Sequence, residues 1–458
     1  MQRPLLYALT SSLHGEMAPD PRQEPFVREV EAALGVPFDW RGDDFSRYGK
    51  AGVPEIIYVR TGGTEGLFLE KVAPLLPEAA AVDGRHPTLS LEGVPGANVT
   101  VRLLASGQSN SLAASMEILS WLRQRGIAGE ILHGSPAQIA ARLGVLPGAK
   151  AAISHPEAAK TVLPGAKAAP NAPGDTEPAT PSVSWTEPLS PETFGPILAG
   201  KRFGVVGRPS DWLISSEVDY TTVRQTLGAE LVDIPIAELV AEAAQGTWEL
   251  PEGFRLNALN RPRYGHPISE ADWSGALAIY GALQRLVRRY RLDGLTLRCF
   301  DLLTALHNTG CLALAILNAE GLTATCEGDI PAMLSMAVAR ALTGSASFQV
   351  NLSRIDGGQL LFAHCTVPLS IVRGYCYDTH FESGIGVAVH GELPEGPVTL
   401  FKLSPDLKRL FRCPARLLAN SYGDNLCRTQ VVIEAPGAAD YFLREPLGNH
   451  HIIVPGTL

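Results

Sequence analysis

The run EIIYVRTGG at residues 55–63 is mainly apolar and ends in a glycine turn, and it is the clearest single indication of the fold class. Three more runs follow it, namely TVRLLASG at 100–107, SLAASMEILSWLRQRG at 111–126 and EILHG at 130–134. The run at 111–126 repeats its large apolar residues at a helical period and stops at Gly126, whereas the other runs are short, apolar and strand-like. Strands that alternate with helices predict a parallel sheet flanked by helices.

A second unit of the same kind opens with KRFGVVGRPSDWLISS at 201–216. FGVVG indicates a buried strand and GRPSDW the turn at its carboxyl end, where ligands sit in doubly wound sheets. After about residue 345 the chain changes to short β-forming runs between Gly and Pro turns, which predicts an antiparallel barrel or sandwich. We therefore expect two doubly wound, Rossmann-like parallel-sheet domains followed by a mostly β, barrel-like C-terminal domain.

The composition shifts sharply between the two α/β patterns. Residues 144–192 are rich in Ala, Pro and Gly, and the octamer VLPGAKAA occurs at 145–152 and again at 162–169. Such a segment is typical of a linker or insertion with a local duplication. The predicted division is an α/β domain at 1–143, the linker or insertion at 144–192, a second α/β domain at 193–344 and a β-rich domain at 345–458.

The bulk composition excludes several classes of protein. With 45% hydrophobic and 19% charged residues, the 458-residue chain has the composition of a soluble globular protein. Its net charge of -9 would repel phosphates, so no nucleic-acid partner is expected. The sequence has no signal-peptide pattern and no apolar run near the roughly 20 residues that span a bilayer, so we expect a cytoplasmic protein with no membrane partner. Its seven cysteines resemble no disulfide framework.

The densest group of acidic residues lies in LTATCEGDIPAML at 322–334. Glu327 and Asp329 stand between a strand-like run and a helix whose first turn contains Pro331. Asp329 is better interpreted as the N-cap of that helix than as a catalytic group. Glu327 has no such structural role, so it is the stronger candidate for chemistry.

Histidines interrupt two β-forming runs downstream. His364 lies in LLFAHCTVP, where a histidine alone is more typical of a core residue, and His450 and His451 are adjacent in GNHHIIVPG. On a strand the two adjacent rings point to opposite faces, so at most one joins a given site. If Glu327, His364 and His450 converge, one carboxylate and two imidazoles suit a divalent ion such as Mn²⁺.

Weaker candidates lie elsewhere in the chain. His380, Glu382 and His390 occur in THFESGIGVAVHGEL. The TGGTEG turn at 61–66 could bind an anion on its backbone N–H groups, although its spacing favours a plain turn. Trp212 in the SDW turn could line a pocket, although a core position is favoured for it.

Several runs carry a resemblance to a known family. They are YVRTGGTE, LLASGQSNSLAASMEIL, GVVGRPSDWLISS, CEGDIPAML, SFQVNLS, AHCTVP, HFESGIGVAVHGELPEGPVTLFKL and GNHHIIVPG. With these runs the chain resembles the L-fucose isomerase-like proteins of the L-fucose/L-arabinose isomerase superfamily. The resemblance implies aldose–ketose isomerisation, in which a divalent metal, usually Mn²⁺, binds sugar oxygens while acidic side chains move a proton between C1 and C2 through an ene-diol.

The resemblance also assigns roles to residues. Glu327 matches the first acidic ligand and base, His364 the histidine of the arabinose-type site, and His450 the late histidine ligand, with His451 as the alternative register. Where the family carries its second acid, this chain has Asn351, whose amide cannot exchange protons at neutral pH. Asp329 and Asp356 are the candidate substitutes, so the catalytic candidates are Glu327, Asn351 and Asp329.

The leading hypothesis is a metal-dependent isomerase of a pentose, deoxyhexose or modified sugar. One alternative is a sugar-binding or regulatory protein that keeps the fold without the second acid. Another is a lyase or epimerase that uses one base and the metal. The resemblance further implies a homo-oligomer, a trimer or hexamer, with sites near subunit boundaries.

Overall fold

The computed structural model describes residues 3–11, 20–76, 100–144, 186–190, 193–250, 267–423 and 425–458. The duplicated octamer, and with it most of the predicted segment 144–192, lies outside these residues. Among the helices in the described ranges, none combines the length and apolar character needed to cross a membrane.

The first α/β unit contains the strand-like and helical runs from which it was predicted. Its strands are β1 (Leu5–Leu9), β2 (Asp39–Gly42), β3 (Glu55–Val59), β4 (Val101–Ala105) and β5 (Gly129–Leu132), and its helices are α1 (Pro25–Leu34), α2 (Glu65–Lys71), α3 (Ser111–Gln124) and α4 (Pro136–Gly144), with 3₁₀ turns at Pro21–Gln23 and Ala73–Leu75. The strands pair in parallel in the order β2-β1-β3-β4-β5. Parallel strands need both faces covered, which explains why β3 and β4 are nearly continuous apolar runs.

The chain next forms β6 (Thr186–Pro188), at the edge of the barrel described below, and then a second parallel sheet. Its strands are β7 (Arg202–Val206), β8 (Glu230–Ile234), β9 (Gly294–Leu297) and β10 (Thr323–Cys326), and its helices are α5 (Tyr220–Leu227), α6 (Ile236–Ala243), α7 (Glu270–Tyr290), α8 (Asp301–Ala305), α9 (Cys311–Ala319) and α10 (Ile330–Thr343). In the order β10-β9-β7-β8, β8 is added on one side of β7, whereas β9 and β10 are added on the other side. The connections therefore change direction across the sheet between β7 and β9, although all four strands are parallel. Ligands of open α/β sheets bind at the carboxyl ends of such strands.

The C-terminal part is a closed antiparallel barrel. Its strands are β11 (Phe348–Asp356), β12 (Gln359–His364), β15 (Gly396–Leu403), β16 (Arg409–Ser421), β17 (Thr429–Glu434) and β18 (His451–Pro455), while β13 (Gly374–Asp378) and β14 (Ala388–Glu392) form a separate hairpin and α11 is Ala438–Arg444. The order β15-β18-β11-β12-β17-β16 closes through pairing of β15 with β16. The sequence predicted either a barrel or a sandwich, and the structure shows a barrel. The predicted domain boundaries stay predictions.

Helix α10 joins the second sheet to the barrel. Its Met333 and Met336 share a buried cluster with Phe401 of β15 and Ile452 of β18. The Ser335 hydroxyl accepts a hydrogen bond of 2.9 Å from the backbone N–H of Leu403. This packing places the carboxyl end of β10 against the ends of the barrel strands.

Candidate active site

Glu327 lies at a sharp turn between β10 and α10. Its backbone is left-handed, with φ of 65°, and Gly328 follows with φ of 70°. Left-handed backbone is uncommon for a residue with a side chain and often marks functional sites. A Cβ atom at Gly328 would lie 2.5 Å from the carbonyl oxygen of Arg208, so only glycine fits the second position. The turn therefore fixes where the Glu327 carboxylate points.

The structure brings Glu327, His364 and His450 together. His364 ends β12 and His450 immediately precedes β18, on either side of β11 in the barrel. The Nε2 atom of His450 lies 3.3 Å from Oε1 of Glu327, and Nε2 of His364 lies 4.0 Å from the same oxygen. One ligand atom from each residue falls within 4.8 Å of the other two, and all three residues are buried.

A second set of contacts orients these three side chains. His450 Nδ1 lies 2.8 Å from Oδ2 of Asp329, and His364 Nδ1 lies 2.9 Å from the hydroxyl of Thr366. Trp212 donates its indole N–H to Oε2 of Glu327 at 2.6 Å. These contacts engage Nδ1 of each histidine and Oε2 of Glu327. The remaining atoms, the two Nε2 nitrogens and Oε1, are left to face one another.

The charges of the group are strongly coupled. Burial alone would lower the pKa of His450, but the carboxylate of Glu327 and the hydrogen bond to Asp329 raise it to about 10. Burial opposes ionisation of Asp329 as well, yet Lys402 and His450 hold its pKa at about 2. Burial lowers the pKa of His364 to about 4, so this ring is neutral at pH 7. Two buried carboxylates thus create a field that favours a cation.

The donor set fits a divalent metal ion. His450 Nε2 is buried and, across the described residues, makes no hydrogen bond of regular geometry; its 3.3 Å approach to Glu327 is an ion-pair contact. A buried nitrogen that makes no regular hydrogen bond calls for an explanation, and a bound ion is one. One carboxylate oxygen and two imidazole nitrogens with outer partners are a set that transition metals bind. The Glu327, His364 and His450 cluster could therefore hold a metal ion.

Glu327 opens onto a cavity between the sheets and the barrel. Carboxyl groups of Glu65 and Glu382 line the cavity with that of Glu327. So do the aromatic rings of Trp212 and Phe300, which meet edge to face with centroids 4.8 Å apart. The cavity thus combines acidic and aromatic side chains.

Three asparagines, Asn110, Asn351 and Asn449, also line the cavity. The Oδ1 atom of each is buried and has no hydrogen-bond partner in the described parts of the chain. The same holds for Oε2 of Glu65. Buried polar atoms without partners carry a large desolvation cost, so a cavity lined by four of them is suited to a polar ligand that forms several hydrogen bonds.

Glu117 on α3 connects the elements that carry the site. Its Oε1 accepts from the backbone N–H of Ser215 at 2.7 Å, and its Oε2 accepts from that of Asn449 at 2.8 Å. The loop after β7, which holds Trp212, and the loop before β18, which holds Asn449 and His450, are therefore fixed to one buried carboxylate.

Other residues singled out from the sequence lie as follows. Asp329 is the N-cap of α10, as interpreted, and accepts from the backbone N–H of Ala332 at 2.7 Å; it does not line the cavity. His451 points away from the cluster, because its Nε2 lies 2.8 Å from the hydroxyl of Tyr441 among core aromatics. The alternative register for the late histidine is therefore not the one that meets Glu327. Asp356 is exposed at the end of β11, so it is not positioned to substitute for a second acid.

Part of the cavity is formed by residues that the sequence did not single out as site residues. Trp212, for which a core position was favoured, lines the cavity and contacts Glu327. The TGGTEG turn, interpreted as a plain turn, contributes Gly62, Gly63 and Glu65. The position of that turn at the carboxyl end of an apolar strand was the available signal. Asn110 and Asn449 carried no local signal, since isolated asparagines in loops are common.

Comparison with known proteins adds an independent finding. No protein-family model matches the chain. The chain is 26% identical over 222 residues to the sulfoquinovose isomerases of Priestia aryabhattai and Priestia megaterium, which covers 46% of this chain and 49% of each relative. It is 28% identical over 184 residues to that of Clostridium sp. (strain MSTE9), covering 39% of this chain and 40% of the relative. The chain thus matches about half the length of curated relatives that are sugar isomerases.

Proposed function

We propose that this chain is a metal-dependent sugar isomerase that interconverts an aldose and a ketose through an ene-diol intermediate. The observation that carries the proposal is the convergence of Glu327, His364 and His450 beside a polar cavity. The similarity to sulfoquinovose isomerases over part of the chain agrees with it. The resemblance to fucose and arabinose isomerases supports Mn²⁺ as the metal and a homo-oligomer as the assembly.

The donors and acceptors of the cavity suit a sugar. The unpartnered oxygens of Asn110, Asn351 and Asn449 are acceptors for sugar hydroxyl groups. The rings of Trp212 and Phe300 offer an apolar surface for the C–H face of a sugar. Fixed acceptors of this kind orient the substrate before the reaction and so reduce the entropy lost in reaching the transition state.

Glu327 and the two histidines would bind the metal, and Glu327 would also act as a base. A divalent ion supplies Lewis-acid polarisation of the sugar carbonyl and stabilises negative charge that develops on oxygen. The indole N–H of Trp212 holds Oε2 of Glu327, which keeps Oε1 directed towards the histidines. A carboxylate fixed in this way can take a proton from carbon without reorganisation.

The amide of Asn351 favours a second candidate function. Because Asn351 lines the cavity but cannot exchange a proton, a sugar-binding protein without turnover, or an epimerase or lyase with one base, would use the same site. These candidates share the metal cluster, but the binding protein forms no product and the epimerase or lyase forms one other than the ketose.

Metal content and product formation test the proposal together. Protein purified without chelator would be analysed by mass spectrometry, beside a Glu327→Gln/His364→Ala variant. A control variant, Glu395→Gln/His307→Asn, changes the same residue types at exposed positions. We expect about one Mn²⁺ or similar ion per chain in the wild type and the control, and none in the site variant.

The metal-loaded protein would then be incubated in D₂O with L-fucose, L-arabinose and sulfoquinovose and followed by NMR. A ketose that carries deuterium at C1 supports the isomerase. Metal binding with no turnover of any of a broad aldose panel favours the binding protein, and a product other than the ketose favours the epimerase or lyase. Absence of metal in folded protein, with none taken up on addition, contradicts all three.

A further inference from the structure

Isomerisation requires two kinds of proton transfer. The C2–H bond breaks and a C1–H bond forms, while O1 gains a proton and O2 loses one, with no net change in electrons. One carboxylate can carry the carbon-bound proton, but the oxygens need a group that both donates and accepts. Asn351 lies on the cavity, but an amide cannot fill this role at neutral pH.

Glu382 is a carboxyl group that lines the same cavity as Glu327. It lies in the connection between β13 and β14, outside the barrel. Asn110, at the start of α3, donates its side-chain N–H to Oε1 of Glu382 at 2.7 Å. The two residues come from distant parts of the sequence, so their contact is a product of the tertiary fold.

The connection that carries Glu382 is held in place by its own hydrogen bonds. The backbone N–H of His380 donates to the carbonyl of Ile385 at 3.0 Å, and that of Gly384 donates to the carbonyl of His380 at 2.9 Å. At the end of the connection, the backbone N–H of Gly386 donates to Asp272 at 2.9 Å. A carboxyl group on a fixed support can keep a productive geometry towards a bound substrate.

The electrostatic surroundings agree with a group that both gives and takes a proton. Burial, and then the charge of Glu327, raises the pKa of Glu382 to about 8. A group whose pKa lies near the working pH is most effective in general acid–base catalysis. Glu65, the other carboxyl on the cavity, is almost fully buried, and burial raises its pKa well above the usual value. Glu65 is therefore suited to remain protonated.

We propose that Glu382 is the second proton-transfer group of this site and serves the sugar oxygens while Glu327 serves the sugar carbons. This inference rests on the proposed isomerase function. Glu327 takes the proton from C2 as protonated Glu382 gives its proton to O1, which yields the neutral ene-diol. Glu382 then takes the proton from O2 as Glu327 returns a proton to C1, and both carboxyl groups end as they began.

Glu382→Gln tests the proposal, because glutamine keeps an oxygen for Asn110 but cannot transfer a proton. Glu65→Gln tests the rival carboxyl, and Glu395→Gln is the control at an exposed site. We expect Glu382→Gln to lower kcat about 100- to 10,000-fold, the usual contribution of a general acid–base, with KM changed no more than about 3-fold. Metal affinity by calorimetry should stay within about 3-fold of wild type, because Glu382 is outside the ligand cluster.

A second variant separates a chemical role from a structural one. In Glu382→Ala, added formate should restore part of kcat, since a small carboxylic acid can enter beside Asn110. A kcat of Glu382→Gln within about 3-fold of wild type overturns the inference, as does loss of metal binding in that variant or a failure of formate to rescue. Failure of the proposed function is a different result, namely a wild-type protein that forms no ketose from any aldose.

Discussion

The imidazole Nδ1 of His450 lies 2.8 Å from Oδ2 of Asp329, and the other oxygen of that carboxylate caps helix α10. One buried side chain therefore begins a helix and orients a member of the proposed metal cluster. Lys402, which is fully buried, places its ammonium 3.8 Å from the same Oδ2. The orientation of His450 thus depends on a chain of buried charges that reaches from the barrel into the second sheet.

Replacing Asp329 by Asn should separate its two roles. Asparagine is as good an N-cap as aspartate, so helix α10 should keep its cap. The amide lacks the charge that holds His450, so metal affinity should fall about 10- to 100-fold, as is usual for partners that orient metal ligands. Titration calorimetry with Mn²⁺ measures the change. Asp219→Asn, at the N-cap of α5, is the matched control and should bind metal like the wild type. Equal affinities in the two variants would contradict the role of Asp329.

The buried pair Lys402 and Asp329 should show energetic coupling. Lys402→Met leaves the buried charge of Asp329 with His450 but without the Lys402 ammonium, so the free energy of unfolding should fall by roughly 3 kcal/mol. Adding Asp329→Asn removes that charge, and the double variant should be more stable than the sum of the single changes predicts. Urea unfolding of the four proteins gives the coupling. Lys408→Met, at an exposed position in the turn between β15 and β16, should change stability little. Strict additivity in the cycle would contradict the coupling.

The sequence predicted those parts of the site that depend on local order. Glu327 at a strand end, Asp329 as a helix N-cap and the opposite faces of His450 and His451 follow from periodicity and capping rules. The meeting of His364 with His450 needs the strand order of the barrel, which sequence alone does not give. The contact of Asn110 with Glu382 needs the first sheet to face the β13–β14 connection. Such long-range contacts arise from packing of whole layers, for which single residues carry no signal.

Adjacent His450 and His451 should respond differently to substitution by alanine. His450→Ala removes a nitrogen from the proposed cluster and should abolish metal binding. His451→Ala should keep metal but lower the free energy of unfolding by about 2–4 kcal/mol, because it loses packing and a buried hydrogen bond. That ring contacts the Tyr441 hydroxyl at 2.8 Å and packs against Phe442. Metal analysis and urea unfolding on both variants check the contrast, and a reversed pattern would show that the other ring belongs to the cluster.

His133 should make stability depend on pH. Its Nδ1 donates to the carbonyl of Ala105 at 2.9 Å and its Nε2 accepts from the backbone N–H of Ile355 at 3.0 Å, which ties the first sheet to β11. Burial lowers its pKa from 6.5 to about 4, so between these values the unfolded chain binds more protons than the folded one. The free energy of unfolding should therefore fall as the pH falls through this window. The physical reason is that a proton on Nε2 would face the backbone N–H of Ile355, which is also a donor.

His133→Gln, which can still donate and accept at this position, isolates that effect. The variant should be less stable than wild type near neutral pH. The difference between their free energies of unfolding should shrink by on the order of 2 kcal/mol between about pH 7 and about pH 4.5. Urea unfolding at several pH values measures both slopes. All other titrating groups are common to the two proteins, so they cancel in the difference. Parallel slopes would mean that the proton state of His133 is not linked to folding.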